Sequence, residues 1–566
     1  MKKKTKFIIP LLLAMNGVTW GQSPGGVSAN LQIWVKADAG TGTTTNNAQV
    51  VLWNNQKAGG VNGIANQGMA GYYADPGIGA RPIYKTASSI PSFNFNPAIE
   101  IVSTDMYRSG YKFPLGFPNN TTNAITSYIH LSRTAATNYR TVFVMNGTTK
   151  SSNTSTTAGI WQSPFYGTYG NRPSFYNEKE SGDVFFGSNT INTVGTNIPS
   201  IQSYYNSISG GNMKYFFDNN GLSYGGPSNN VSSTANYPGM VLLMDNDGGN
   251  GSTSLAGDRI GEFILYSDTQ TPTERQRVSS YLAIKYGISL QQPQNYLTSD
   301  GSISWNSSTN TTFNNNIFGL ALDNASALNQ KVSGSINPNT ILTVANDNDF
   351  SSANATGTRT AFAQDKTFLV LGDNNVTATG LTAMTNPSTF NRIQRIWRVQ
   401  RTNDTGRTYL QVNLSSYPGI PAGTALNRIY MVVADDAALN TKVQYIPAIS
   451  FSGGVAVFDY KFPSDKYISF GTGTTFCTRE PNTTPATAFT KIGITGYSAK
   501  QNNWPENIPN GFIVLESGSE GMVITRTTPA NISTPVEGMI IYDTSSNCYS
   551  LYNGSTWKCM VRACNN

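Results

Sequence analysis

Apolar and polar positions alternate along most of this chain in short runs, and that period-two pattern predicts β-strands. The clearest runs cover residues 31–36, 140–145, 213–218, 240–244, 367–371, 395–401, 408–414, 429–434 and 455–460. In Thr408-Tyr409-Leu410-Gln411-Val412-Asn413-Leu414 every second side chain is apolar, as a half-buried strand requires. Asn-, Gly- and Pro-rich turns separate the runs, among them residues 218–221 and 245–251. Many short strands joined by such turns predict β-sandwiches.

One segment follows a helical period instead. Thr271 is placed to cap a helix, Pro272 suits its first turn, and Glu274 completes a capping box. Val278, Tyr281, Leu282 and Lys285 then recur on one face, Tyr286 lies beside them, and Gly287 supplies the stop. A helix of about four turns is expected to pack its Val278/Leu282 stripe on a sheet and to mark the end of the first domain.

Lys2, Lys3, Lys4 and Lys6 precede a short apolar stretch from Phe7 to Met15 and a small-residue region to Gly21. This is the three-part pattern of a secretory signal, with Gln22 as the new N-terminus. The apolar stretch is too short to span a bilayer core of about 30 Å as a helix. The expected location is therefore secreted, extracellular or on the outer cell surface, with no membrane span. The chain carries 38 Lys and Arg against 31 Asp and Glu, but four of those lysines would leave with the signal, so the mature balance is 34 to 31. The sequence pI of about 9.0 thus gives no reason to expect nucleic acid. Aromatic residues make up 11% of the chain, enough to argue for packed cores over disorder.

The four cysteines, Cys477, Cys548, Cys559 and Cys564, fall in the last 90 residues. In an exported chain an even count points to disulfides, and the spacing lacks the paired CxxC knuckles of a zinc site. Of three possible pairings we favour Cys548 with Cys559 across a hairpin and Cys477 with Cys564. The predicted divisions are a signal at 1–21, a sandwich ending in the helix at 22–292, a second sandwich at 293–475, and a cysteine-containing module at 476–566.

Two stretches of the first division together are similar to the laminin-G-like, concanavalin-A-like sandwiches of exported bacterial surface proteins. They are the opening Leu31-Gln32-Ile33-Trp34-Val35-Lys36-Ala37-Asp38-Ala39-Gly40, with Val51-Leu52-Trp53-Asn54-Asn55-Gln56 after it, and the closing Gly261-Glu262-Phe263-Ile264-Leu265-Tyr266-Ser267 with the helix that follows. The next block, with Asn316-Ile317-Phe318-Gly319-Leu320-Ala321-Leu322-Asp323 and Ile396-Trp397-Arg398-Val399, resembles an uncharacterised β domain found after such sandwiches in Gram-negative bacteria with type IX export. The resemblance implies an all-β, multi-domain fold and a surface location, but no particular ligand. The chain's end, from Leu551 to Asn566, shows no clear sorting signal of that export route.

Candidate chemistry is sparse. Asp245, Asp247 and Asn250 place hard oxygen ligands on one turn, as calcium requires, although the same residues also make turns that bond their own backbone. Asn346 to Asp349 forms a weaker version. Trp161, Tyr166 and Tyr169, with Phe165, Phe175 and Tyr176 close by, could stack on sugar rings or fill the sandwich core. His130 is the only histidine, which argues against a serine triad or a zinc enzyme, and it reads as a strand residue. A glycosidase needs two carboxylates across a cleft. Glu178 and Glu180 read as solvated, and Asp258 and Glu262 as partners in loop hydrogen bonds. The expectation is a non-enzymatic, adhesin-like protein that binds glycans or cell-surface proteins, with a carbohydrate-active hydrolase or a structural surface-layer role as alternatives.

Overall fold

In a computed structural model of the chain, the runs of alternating residues pair almost wholly as antiparallel β-sheet. The structure describes residues 21–65, 81–102, 110–113, 125–132, 143–146, 159–163, 174–178, 184–187, 197–207, 212–218, 220–225, 239–242, 256–290, 294–385, 388–473, 489–491, 507–509 and 523–560. The signal-like segment 1–20, Asp245, Asp247, Asn250, Tyr166, Tyr169, Glu180, Cys477 and Cys564 lie outside these residues. Strands Gly159–Ser163 and Ser174–Glu178 are described as backbone, so the side chains of Trp161, Phe175, Tyr176 and Glu178 lie outside them too.

The first sandwich has two eight-stranded sheets. One is centred on Arg259–Tyr266, with Ile125–Ser132 along one edge and Leu31–Lys36 and Ala98–Glu100 sharing the other. The second runs from Val184–Gly187 at one edge to Leu52–Trp53 at the other. Ile33, Val35, Ile129, Leu131, Phe263 and Leu265 point into the core between the sheets, where they meet Trp53, Tyr111 and Phe113. Because side chains alternate across a strand, Trp34, Lys36, Tyr128, His130, Glu262, Ile264 and Tyr266 must face the other way. They are nevertheless buried. Something covers the outer face of this sheet.

The cover is the helix Pro272–Tyr286. Its capping box forms as the sequence predicts: Glu274 N donates to Thr271 Oγ1 at 3.2 Å, and Thr271 N donates to Glu274 Oε2 at 2.8 Å. Gly287 ends it in the left-handed conformation at φ 66°. The expectation of a single buried stripe fails, because all nine residues from Val278 to Tyr286 are buried. One side of the helix lies on the sheet; the other touches Tyr296–Leu297, Asn315–Asp323 and Leu328–Gln330 of the second sandwich. A helix packed on both sides carries no polar stripe along its second half. It is shared by two domains rather than capping one.

The second sandwich pairs a nine-stranded with a five-stranded sheet around Leu320, Val344, Leu369, Leu371, Trp397, Leu410, Met431, Phe458 and Phe470. Both sandwiches belong to one compact unit that ends at Gly473. Residues from Thr474 onward form a separate unit. Its four-stranded sheet runs Arg526–Thr527, Ile540–Asp543, Cys548–Tyr552, Trp557–Cys559, with the first pair parallel and the others antiparallel. Cys548 and Cys559 are disulfide-bonded across the last hairpin, as the spacing suggested. Among the described residues no helix is long and apolar enough to cross a membrane.

Candidate functional site

The charged residues of the chain's opening and closing motifs meet under the helix. Lys36 ends the first strand, Asp38 follows it, Glu262 sits on the central strand, and Lys285 comes from the last turn of the helix. Lys285 Nζ lies 2.9 Å from Glu262 Oε2 and 3.0 Å from Asp38 Oδ1. Glu262 is fully buried and is surrounded by donors: Trp34 Nε1 at 2.6 Å, Tyr281 OH at 2.9 Å and Tyr286 OH at 3.3 Å. Lys36 Nζ rests over the Trp34 ring at 5.0 Å, and Lys285 Nζ lies 5.3 Å from the centre of the Tyr286 ring. Two cations and two carboxylates therefore share one aromatic-walled compartment with no net charge.

Burial and charge pull these groups in opposite directions. Burial pushes the Asp38 carboxyl up, but Lys285 and Lys36 more than reverse this and hold it at about 2. Burial alone would lower Lys285, yet Asp38 and Glu262 raise it above the ordinary lysine value. Lys36 is lowered, mainly by burial, because Asp38 and Glu262 only partly offset the loss of water. Burial raises Tyr281 and Tyr286 well above the ordinary tyrosine value, and Glu262 adds to it. Such a set is costly to break, since removing one partner leaves another charge buried and unpaired.

His130 adjoins the compartment, stacked on Tyr286 at 3.6 Å and edge-on to Phe93 at 4.9 Å. Burial, with Lys285 adding to it, lowers its pKa well below the ordinary histidine value. Neither ring nitrogen has a hydrogen-bond partner among the described residues. It is a packed strand residue, as read from the alternation. Gly261 explains how it fits. The pairing of Arg259–Tyr266 with Ile125–Ser132 shifts register between Ile260 and Glu262, and a Cβ on Gly261 would land on His130 and come within 2.9 Å of Tyr286. The bulge re-aims the strand and brings Glu262 beneath the helix.

Glu262 is thus not a loop residue, which corrects the expectation. A signal for it exists in the sequence: Lys36, Glu262 and Lys285 each interrupt an otherwise apolar string, and charged residues in such strings are buried only when paired.

The helix end is also fixed to both sandwiches. Asn94 Nδ2 and Asn96 Nδ2 donate to Lys285 O at 3.1 and 2.8 Å, satisfying a carbonyl the helix leaves free. Asn94 Oδ1 accepts from Gly334 N at 2.9 Å, and Gln330 Nε2 donates to Asn94 O at 3.1 Å. Asn354 Nδ2 extends the chain of amides to Gln330 Oε1 at 2.7 Å. These amides are buried and join one sandwich to the other.

The structure also revises the weaker of the two calcium-like loops. The side chain of Arg359 is fully buried inside it, donating to Asp347 Oδ1 at 2.8 Å and Asp349 O at 2.9 Å. A guanidinium fills the place a cation would take, so Asn346 to Asp349 is a turn closed by arginine. Among the described residues no three His, Cys, Asp or Glu side chains group as metal ligands.

In the terminal unit, residues paired across an antiparallel ladder share a face. Ile540 pairs with Leu551 and Tyr542 with Tyr549, which places these four on one side of the sheet. Ile540 is 39% and Tyr549 50% exposed. Ile541, Asp543 and Ser550 occupy the other, buried side. The same face carries Arg526, stacked over the Tyr542 ring at 4.7 Å, and Lys558, paired with Leu551, so a partly apolar sheet face rimmed by two cations is left in water.

Residues 274–466, the helix and most of the second sandwich, match the model of a domain of unknown function, DUF8202. Residues 505–566 match a phage tail like trimerisation region. No curated protein matches the chain. Among solved structures, domain 4 of AbnA, a GH43 extracellular arabinanase from Geobacillus stearothermophilus in complex with arabinotriose, is 14% identical; the match covers 45% of this chain and all of that one, with a TM-score of 0.31. Trypanosoma rangeli sialidase in complex with sialic acid is 8% identical over 45% of this chain and 33% of its own, with a TM-score of 0.28. A GH54 α-L-arabinofuranosidase soaked with a cyclic sulfate inhibitor is 12% identical over 42% and 52%, with a TM-score of 0.29.

Proposed function

We propose that the chain is a secreted or surface-displayed, adhesin-like binding protein, presenting its β-sandwiches to glycans or surface proteins from a trimeric C-terminal base. The observation that carries this reading is the exposed apolar face of Ile540, Tyr542, Tyr549 and Leu551, in a segment that matches a trimerisation region. Exposed Val523 and Val536 in the same unit add to it. Exposed apolar residues rimmed by charge, here Arg526 and Lys558, mark an interaction site, and three copies on one base convert weak single-site binding into avidity. The buried amides between the sandwiches support a rigid arm. The reading is non-enzymatic: Glu262, a carboxylate of the charged group beneath the helix, is fully buried, and only Asp38 of that group reaches water.

A glycan array probed with the full chain, with and without a calcium chelator, tests the binding arm. Binding that weakens at least tenfold when Ile540→Asp and Tyr549→Asp separate the copies is the expected result. No binding under any condition would overturn a glycan ligand. Calcium at Asp245, Asp247 and Asn250 is part of this proposal, and it predicts a lower melting temperature in calcium for Asp247→Ala than for the parent chain. Equal melting temperatures would remove the metal from the account.

A further inference from the structure

Three features under the helix bear on one chemical possibility. Lys285 Nζ contacts a carboxyl oxygen of Asp38 at 3.0 Å. A second carboxylate, Glu262, sits on the same nitrogen at 2.9 Å. The Lys285 and Glu262 side chains are 3% and 0% exposed, and Trp34, Tyr281 and Tyr286 line the compartment. A buried amine in contact with a carboxyl that is 20% exposed, a proton acceptor on the nitrogen, and a path by which water can leave are the components of amide formation. We propose that Lys285 and Asp38 condense to an intramolecular isopeptide bond, with Glu262 as the proton relay.

The step balances without any co-reactant. Glu262 Oε2 takes one proton from the Lys285 ammonium, leaving a neutral amine, and passes it to an Asp38 oxygen, leaving a neutral carboxyl. The nitrogen lone pair attacks Asp38 Cγ, forming the C–N bond. A second proton from the nitrogen passes through Glu262 to the Asp38 hydroxyl, the C–O bond breaks, and water departs. Glu262 returns to its starting state, and nothing is oxidised or reduced. Because both charges must be neutralised first, the reaction is expected to be slow and to run only after the helix has docked. Contact geometry supplies what dilute amine and carboxyl lack, since well-oriented intramolecular groups reach effective molarities of about 10⁵ M or more. The product also exchanges a buried ion pair, with its desolvation cost, for a neutral amide. It ties the first strand to the helix across 247 positions of sequence.

Mass spectrometry of the purified, reduced full chain reads this directly. Trypsin is expected to give a branched species in which residues 37–57 are joined to residues 278–331, with no cleavage after Lys285 and a mass 18 Da below the sum of its parts. The Lys285→Arg and Asp38→Ala variants should lose the branched species. Glu262→Gln should leave the two peptides separate while near-ultraviolet circular dichroism shows a folded chain. Should a variant fail to fold, the parent chain alone still decides: separate 37–57 and 278–285 peptides of full mass would overturn the proposal.

Discussion

At the scale of single residues, His130 and Glu262 show how context sets a side chain's role. His130 is held neutral by burial, and Lys285 reinforces this. The unfolded chain takes up a proton on this group near pH 6.5, whereas the folded chain does not. Stability should therefore fall as pH drops below about 6.5, by about 1.4 kcal/mol per pH unit at most from this group. Burial raises the Asp218 carboxyl to about 7, so that group gains stability over the same window and opposes His130. His130→Leu should therefore make the chain gain stability relative to the parent as pH falls from 6.5 to about 5 in urea titrations. An unchanged slope would show that burial is not what sets its charge. Glu262→Ala should cost about 3–5 kcal/mol, the usual penalty for removing one member of a buried charge set, here leaving Lys285 with Asp38 alone. A loss under about 1 kcal/mol in the same titrations would mean that the compartment admits water.

At the scale of elements, local signals were legible and distant ones were not. The helix could be read because Thr271, Pro272, Glu274 and Gly287 act on their own neighbours, and each takes its expected place. Strands Leu31–Lys36, Ile429–Ala434 and Val455–Tyr460 keep the bounds given by their alternation. The cysteine hairpin was similarly local. What covers the outer sheet face was not legible, because Trp34 and Glu262 meet across 228 positions and no period encodes such a pairing. The charges inside apolar strings were visible, but their partners were not. Likewise the Arg359 that fills the loop of Asp347 and Asp349 lies 12 and 10 positions away, beyond any turn motif. Two element-level tests follow. Thr271→Ala should lower stability by about 1 kcal/mol through loss of the cap. Gly261→Ala should cost more, about 1–3 kcal/mol, because the added methyl must displace His130 or Tyr286 from a filled site; equal effects in thermal melts would contradict the role given to the bulge.

At the scale of the whole molecule, two sandwiches share a helix and a buried amide seam, and a separate terminal unit carries an unpaired apolar face. The first arrangement makes a stiff body, and the second is where we propose that copies of the chain meet. The reading from sequence set the first boundary by the helix itself, and a helix's own pattern does not reveal that it belongs to both sides of a boundary. The exposed terminal face was hidden for a similar reason: Ile540 and Tyr549 stand in ordinary strand patterns, and only the register shows them on the face opposite the buried Ile541 and Ser550. The central claim, a binding protein made multivalent by its C-terminal unit, rests on that face. Light scattering of the full chain after size-exclusion chromatography measures it most directly. The account predicts three times the mass of one chain, falling to a single chain when Ile540→Asp and Tyr549→Asp are combined. A parent chain that elutes with the mass of one copy at micromolar concentration would contradict it.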